Sequence, residues 1–251
     1  MRIWNLLGKA GPVIGLAAAT GLAGCDRMNV EFESDGVPLA ELDMSGGAPT
    51  DVVLAAPDTV LISSGEAFTI YVEGSRQAAE RMRFALDDGT LVIHREDGDW
   101  GSNDGQATVN IAMPPPSSLI MAGSGTMRTD AMASSAEIVI AGSGALAADG
   151  IDADDMEVTV AGSGSVEASG RTDRLELTVA GSGSAQMAAL QVDNAEVSIA
   201  GSGDAEFASD GRVDASIVGS GNVRVRGSAD CESDSVGSGE LICGTNKRLP
   251  I

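Results

Sequence analysis

The sequence predicts an all-β protein whose second half is a parallel β-solenoid, a coil in which successive turns of backbone stack on one another. Three observations predict this fold. The triplet Gly-Ser-Gly occurs seven times, and successive copies are separated by 18–20 residues. Apolar and polar residues alternate on both sides of each triplet, which is the period of a β-strand. Glycine is abundant (33 of 251 residues), whereas only 3% of the residues are aromatic.

Each repeat is predicted to be one rung of about 19 residues, consisting of a strand, a tight Gly-Ser-Gly corner, a second strand and a looser polar corner. Stacked rungs bury apolar faces that a single rung cannot bury, and they lie about 4.8 Å apart. A right-handed coil is expected, because parallel crossovers are almost always right-handed. The serines of the stacked corners are predicted to form a hydroxyl ladder. The triplets begin at Gly123, Gly142, Gly162, Gly181, Gly201, Gly219 and Gly237, and the predicted ladder comprises Ser143, Ser163, Ser182, Ser202 and Ser220.

Residues 36–116 are predicted to be a separate β-region, and residues 117–246 the repeat solenoid. The β-region either caps the N-terminal end of the solenoid or forms irregular early rungs. An acidic loop is predicted between Glu96 and Gly105, and Pro114-Pro115-Pro116 is predicted to mark the boundary. The predicted strands are Asp51–Leu54, Thr59–Ile62, Phe68–Glu73, Met82–Leu86, Thr90–His94 and Ala107–Met113.

The repeated Ala-Gly-Ser-Gly units follow a strand-rich segment that ends in Val109-Asn110-Ile111-Ala112-Met113-Pro114. Together they resemble the head GIN domain family, whose members are named as auto-transporter adhesins and mostly have no known function. The resemblance covers about residues 28–245. It implies the β-solenoid fold, and it brings no catalytic residues to this chain.

The first 24 residues are predicted to be a signal peptide. Arg2 and Lys9 give it a positive start, and an apolar run from Val13 to Ala23 is too short to span a bilayer. The run ends in Leu22-Ala23-Gly24-Cys25, which resembles a bacterial lipobox. That resemblance implies lipidation of Cys25, a linker over residues 25–35, and a lipid-anchored protein of the periplasm or outer membrane. The alternative is an ordinary cleaved signal beside an incidental cysteine.

The charge balance restricts the partners. The formal net charge is −22, and removing residues 1–24 with Arg2 and Lys9 makes it −24 and leaves Lys247, in the C-terminal tail of residues 247–251, as the remaining lysine. Nucleic acid is not expected as a partner, because phosphate binding depends on clustered basic residues. Anionic lipid headgroups repel such a body, so the acyl anchor is predicted to hold it at the membrane.

A column of carboxylates is predicted on the outward face, five residues before each triplet. In-register stacking would place these side chains about 5 Å apart. One interpretation is a solvated acidic edge that keeps the protein soluble, partly neutralised by Arg174 and Arg212. The other is weak Ca²⁺ binding, because carboxylate oxygens suit that ion. The column comprises Glu137, Glu157, Glu176, Glu196, Asp214 and Glu232.

Other chemistry has little basis in the sequence. No triplet is followed by the lysine that a phosphate-binding loop needs, and the residue after it is not regularly aspartate, as a calcium-binding β-roll requires. The single histidine, His94, is predicted to be an outward surface residue rather than a catalytic base. Carbohydrate-active β-helix enzymes usually have longer rungs, aromatic platforms and clefts. The rungs predicted here are short and the chain has seven aromatic residues, so such an enzyme is the less favoured interpretation.

Cys231 and Cys243 are predicted to form a disulfide across the last two rungs. Both fall at inward positions, Cys231 in phase with Val213 and Cys243 in phase with Val225. An even pair of cysteines in an oxidising compartment typically forms a bridge. The alternative is a pair of free buried thiols.

These observations predict a noncatalytic, lipid-anchored envelope protein without a cofactor, other than Ca²⁺ if the column binds it. Its acidic solenoid surface would bind an envelope protein or a glycan. The alternatives are a carbohydrate-active enzyme and a calcium-stabilised spacer.

Overall fold

The computed structural model describes residues 36–96 and 105–244, which form one continuous 16-stranded sheet wound into a solenoid. A 3-10 helix η1 (Leu39–Glu41) and one α-helix α1 (Arg76–Arg81) accompany the strands. The strands are β1 (Asp51–Ala55), β2 (Thr59–Ser64), β3 (Thr69–Gly74), β4 (Met82–Asp87), β5 (Thr90–Arg95), β6 (Ala107–Met113), β7 (Ser118–Gly123), β8 (Thr126–Thr129), β9 (Ser135–Gly142), β10 (Ala145–Gly162), β11 (Ser165–Gly181), β12 (Ser184–Gly201), β13 (Asp204–Gly219), β14 (Val223–Arg226), β15 (Asp230–Gly237) and β16 (Leu241–Cys243).

The repeat region is the predicted parallel β-solenoid, with about 7 turns of roughly 19 residues. Each long strand serves two rungs: Ala145–Ala148 of β10 pairs with β8, whereas Asp155–Gly162 pairs with β9. All pairings from β7 onward are parallel. The prediction of strand, tight corner and strand is therefore confirmed, and the handedness stays a prediction.

The two glycines of each corner are needed for different reasons. Gly181 has φ +117°, a backbone conformation that side chains rarely adopt. Gly183 lies over the core, and a Cβ there would approach Val160 Cγ1 to 2.5 Å. Stacked corners are joined by main-chain bonds such as Ser182 N–H to Gly162 O (2.9 Å). Within the described residues these main-chain bonds join the corners, whereas hydroxyl-to-hydroxyl bonds of the predicted ladder are not found.

The core is the set of inward side chains, which stack in columns through the rungs. Val160, Val179 and Ile199 occupy one such column, and they are at most 2% exposed. Because each inward residue contacts the equivalent residue of the next rung, the hydrophobic burial is continuous along the stack.

The N-terminal region contains all six predicted strands, but it does not stack in sequence order. The rung formed by β1 and β2 lies between the rung of β5 and β6 and the rung of β7 and β8. The sheet is continuous across Pro114-Pro115-Pro116, because β6 and β7 both pair with this inserted rung. The region thus contributes two irregular rungs and a reversed rung to the same sheet, and the division at residue 116 stays a prediction.

The cap is a reversed rung made of β3, α1 and β4. β4 pairs antiparallel with β5, and β3 pairs antiparallel with β6. The helix, which the sequence analysis did not predict, begins where the Ser75 hydroxyl accepts a hydrogen bond from Ala78 N–H (3.1 Å), and it buries Ala78 completely. Val37 then exchanges two main-chain hydrogen bonds with Phe84 and places η1 over the end of the core.

A buried ion pair joins the out-of-order rungs. The Asp58 side chain is fully buried, and it accepts hydrogen bonds from Arg95 Nε (2.7 Å), Arg95 Nη2 (2.5 Å) and Ala107 N–H (2.7 Å). Arg95 Nη2 also donates to Gly105 O, and Asp58 O accepts from Thr126 N–H. One aspartate thus links β2, β5, β6 and β8 at the corner where the Gly-Ser-Gly triplet is missing.

The C-terminal end is closed by the predicted disulfide. Cys231 of β15 and Cys243 of β16 are bonded, with 6.7 Å between their Cα atoms. The bridge spans the last rung, where the inward positions of β15 change from the apolar residues of β13 to Ser233 and Ser235. Core packing therefore ends in a covalent link and two small polar side chains.

Candidate functional site

The predicted carboxylate column exists on one outward face of the solenoid. Glu157 is in register with Glu137 on one side and with Glu176 on the other. Pairing continues from Glu176 to Glu196 and onward through Asp214 and Glu232. The alternation of each strand points all six side chains away from the core, so the in-register prediction is confirmed.

Two arginines accompany the column: one pairs with an aspartate beside it, and the other lies near an aspartate of the column. Arg174 Nη1 contacts Asp155 of the preceding rung, and Arg212 Nη1 lies 4.0 Å from Asp214. These side chains are more than half exposed, so each pair contributes little to stability. The Ser118 hydroxyl donates to Glu137 Oε2 (3.0 Å) at the N-terminal end of the column. The face therefore stays acidic after its local pairing.

The column does not form a metal cage in the part of the chain that the structure describes. No group of three or more ligating side chains converges among residues 36–96 and 105–244. The N-terminal half of the column borders an open depression lined by Asp51, Ser118, Ser135, Glu137 and Glu157. This geometry offers a line of separate carboxylates, and Ca²⁺ binding stays a prediction.

The opposite outward face is more evenly charged. Asp204 Oδ1 accepts hydrogen bonds from the main-chain and side-chain nitrogens of Asn222 (2.9 and 3.0 Å). Glu206 pairs with Arg226 of the next rung at 2.8 Å. A second open depression lies between these pairs and Ile242. The two faces therefore differ in charge, and the acidic column is confined to one of them.

Hydrogen bonds lower the pKa of two exposed aspartates. The Ser228 hydroxyl and main-chain N–H both donate to Asp210, and they lower the pKa of that carboxyl. The Ser45 main-chain N–H similarly lowers the pKa of Asp43. The Asp210 bond connects residues of adjacent rungs, whereas the Asp43 bond is local.

The remaining predicted residues have mixed outcomes. Cys25 lies outside the described residues. His94 faces outward from β5, but its ring is half-buried because Gly36 lies over it; a Cβ on Gly36 would lie 2.8 Å from Nε2. His94 therefore points outward, as the alternation predicts, but it is partly covered by the segment before η1. Sequence reasoning also missed Asp58 and Arg95, although the alternation of Leu91, Ile93 and Arg95 places the arginine inward.

These features define an all-β repeat protein of the parallel β-solenoid class. The model of the family "Putative auto-transporter adhesin, head GIN domain" matches residues 48–229, and the chain belongs to this family. The expectation from the Ala-Gly-Ser-Gly units is thus confirmed. No protein of curated function is significantly similar in sequence.

Solved structures share the fold. A putative adhesin from Bacteroides fragilis NCTC 9343 has a TM-score of 0.74 at 17% identity, over 78% of this chain and 92% of its own. A putative lipid binding protein from Parabacteroides distasonis ATCC 8503 has a TM-score of 0.61 at 23% identity, over 79% and 94%. Among the described residues, neither helix has the length and apolar character to cross a bilayer.

Proposed function

We propose that this is a noncatalytic, lipid-anchored protein of the bacterial cell envelope whose acidic solenoid face binds a partner. The observation that carries the proposal is the column of six outward carboxylates from successive rungs. A rigid stack holds them in a fixed line, and a fixed line of like charges favours a partner of complementary charge. The adhesin name of the family agrees with this role by analogy.

Photo-crosslinking in intact envelopes tests the acidic face. A photoreactive amino acid replaces Thr178, which points outward beside Glu176, and a matched chain carries it at Gln186 on the opposite face. We expect capture from position 178 that falls when Glu157, Glu176 and Glu196 are changed to Gln. Glu167→Gln, on the opposite face, is the control for the single change Glu176→Gln, because each removes one carboxylate. Equal capture from both faces, or capture unaffected by the triple change, would contradict the proposal.

The anchor is tested separately. Cys25→Ser removes the thiol that would be acylated, so the variant is expected to leave the detergent phase and the membrane fraction. Cys231→Ser is the control, because that cysteine forms the disulfide and is not part of the lipobox. A Cys25→Ser chain that still partitions with the membrane would show that something other than acylation holds it.

Two alternatives have direct tests. A glycoside hydrolase needs two carboxyl groups on either side of one bond, about 5–9.5 Å apart, and the depression beside the column is open and lies on a single face. Turnover of any polysaccharide would favour that enzyme. Ca²⁺ stabilisation predicts a higher melting temperature with Ca²⁺ than with EDTA, and this difference disappears in the triple Gln variant if the column is the site.

A further inference from the structure

The outer edge of β3 is an unpaired sheet edge. Among the described residues, β3 pairs with β6 alone, and its other side faces no strand. Alternate main-chain N–H and C=O groups along that side are therefore available to a new strand. The strand reads Thr-Ile-Tyr-Val-Glu-Gly, which is rich in β-formers and carries one charge, on Glu73.

The N-terminal end of the solenoid is covered over β4 but not over β3. Over β4, Val37 and η1 cover the end, and Met82 and Phe84 are at most 1% exposed. Over β3 the inward Ile70 and Val72 remain partly exposed, although both pack against the core. The outward Tyr71 is 55% exposed. The position beside β3 that corresponds to Val37 beside β4 is therefore open among the described residues, and it has room for one strand.

The edge strand β15, at the other end of the solenoid, is protected from pairing. The outward side chains of β15 are Asp230, Glu232 and Asp234, which repeat a negative charge at every second residue. Alternating like charges on an edge strand oppose the addition of another strand. β3 has no such protection, so the two edges differ in what they can accept.

We propose that the outer edge of β3 binds an extended segment of a partner protein as an added strand. The segment runs antiparallel to β3, as Val37 does on β4. Its inward residues are apolar and cover Ile70 and Val72, and its outward residues beside Tyr71 and Glu73 are uncharged or basic. Main-chain pairing supplies affinity, and the side chains supply specificity.

A single strand fits better than a second copy of this chain. The Val37–Leu42 segment already occupies the layer above β4, so it would hold the flat end of another solenoid away from β3. An acidic segment is disfavoured, because Glu73 adjoins the edge and the chain has a net charge of −22. The site lies apart from the carboxylate column, so its test does not depend on the binding proposed for that face.

A peptide copying residues 107–113 is the probe, because β6 already pairs antiparallel with β3 and places Val109 and Ile111 inward. Terminal lysines keep the peptide soluble. The main-chain amides of β3 that point away from β6 should exchange rapidly in the free protein. We expect their exchange to slow by about tenfold or more when the peptide pairs with them. A peptide N-methylated at the amides that face β3 should not bind, whereas N-methylation on the other edge should be tolerated.

Val72→Glu is the matching variant, because an added strand would bury its carboxylate, and binding should weaken about tenfold or more. Val236→Glu, at a 72% exposed position on β15, is the control that should bind normally. Tyr71→Ala should weaken binding less, without changing the cap.

Three results would overturn the proposal. The first is that the β3 amides are already protected in the free monomer, and the second is equal binding of the two N-methylated peptides. The third is a doubled mass in solution that Val72→Glu abolishes, because that result would assign the edge to a second copy.

Discussion

The two ends of the solenoid are closed in different ways. At the N-terminal end, a reversed rung, a short helix and the buried Asp58–Arg95 pair connect strands that are distant in sequence. At the C-terminal end, a disulfide between residues 12 apart and a strand of alternating acids terminate the last rung. One end depends on long-range packing, and the other depends on local covalent and charge patterns.

This difference shows where stability is concentrated. The cap buries a charged pair, whose loss leaves an uncompensated charge inside the protein. The last rung has few buried side chains to lose, because β15 is mostly exposed. Disruption of the cap should therefore affect the first rungs as a unit, whereas disruption of the last rung should remain local.

The largest effect is expected from Asp58→Ala. It leaves the Arg95 guanidinium buried without its carboxylate, so the free energy of unfolding of the cap should fall by about 3–5 kcal/mol. Asp155→Ala breaks the exposed contact with Arg174 and should cost at most about 1 kcal/mol. Urea unfolding measures both. Similar losses in the two variants would remove the distinction between the buried pair and the surface pair.

The next effect is expected from removing the disulfide. Changing both Cys231 and Cys243 to Ser should cost about 2–3 kcal/mol, because the bridge restricts a short loop in the unfolded chain. Hydrogen exchange should increase in β15 and β16 and stay unchanged in β4 and β5. Faster exchange throughout the cap would show that the two ends are energetically coupled.

A smaller effect is expected from Gly237→Ala at the last corner. Gly237 has φ +128°, and a Cβ there would lie 2.1 Å from Gly219 O, so the last rung must shift or partly separate. We expect a loss of about 1–3 kcal/mol by thermal unfolding. Gly46→Ala is the control, because nothing lies within 4 Å of its Cβ position. Equal melting temperatures for both variants would mean that the last corner is already loose.

The smallest effect is expected from lowering the pH until Asp210 is protonated. The bonds from Ser228 lower the pKa of Asp210 in the folded state, so they stabilise the fold above the carboxyl's unfolded pKa of about 4. That contribution is lost as the pH falls through the lower folded pKa. Below about pH 4, exchange in the last rungs should therefore rise in the native chain and rise less in Asp210→Asn. Asp43→Asn, whose bond is local, should not change the exchange of those rungs.

The sequence could predict the repeat region because its information is local. The glycine corners, the inward alternation and the phase of Cys231 each follow from a short window and a constant period. The acidic column also followed, because residues at one phase of a parallel stack must lie in one line. Each of these predictions needed only the assumption that neighbouring rungs stack in order.

The cap could not be predicted in the same way. Nothing near β1 or β2 indicates that later strands lie on both sides of them, because that order depends on contacts across tens of residues. Helix α1 has six residues and no apolar period, and only Ser75 marked its start. Arg95 did carry a signal, because a charged residue at an inward phase requires a buried partner.

The insertion of β1 and β2 between later strands has a consequence for the way the chain acquires its structure. A polypeptide that emerges amino end first cannot wind this coil turn by turn, because β1 gains its first flanking neighbour only with β5 and its second only with β7. Productive winding must therefore wait for more than sixty residues of further synthesis or export, as the separation of Asp51 from Ser118 shows. Closing such a large loop is slow, so the regular turns should nucleate first, and the amino-terminal strands should join them last.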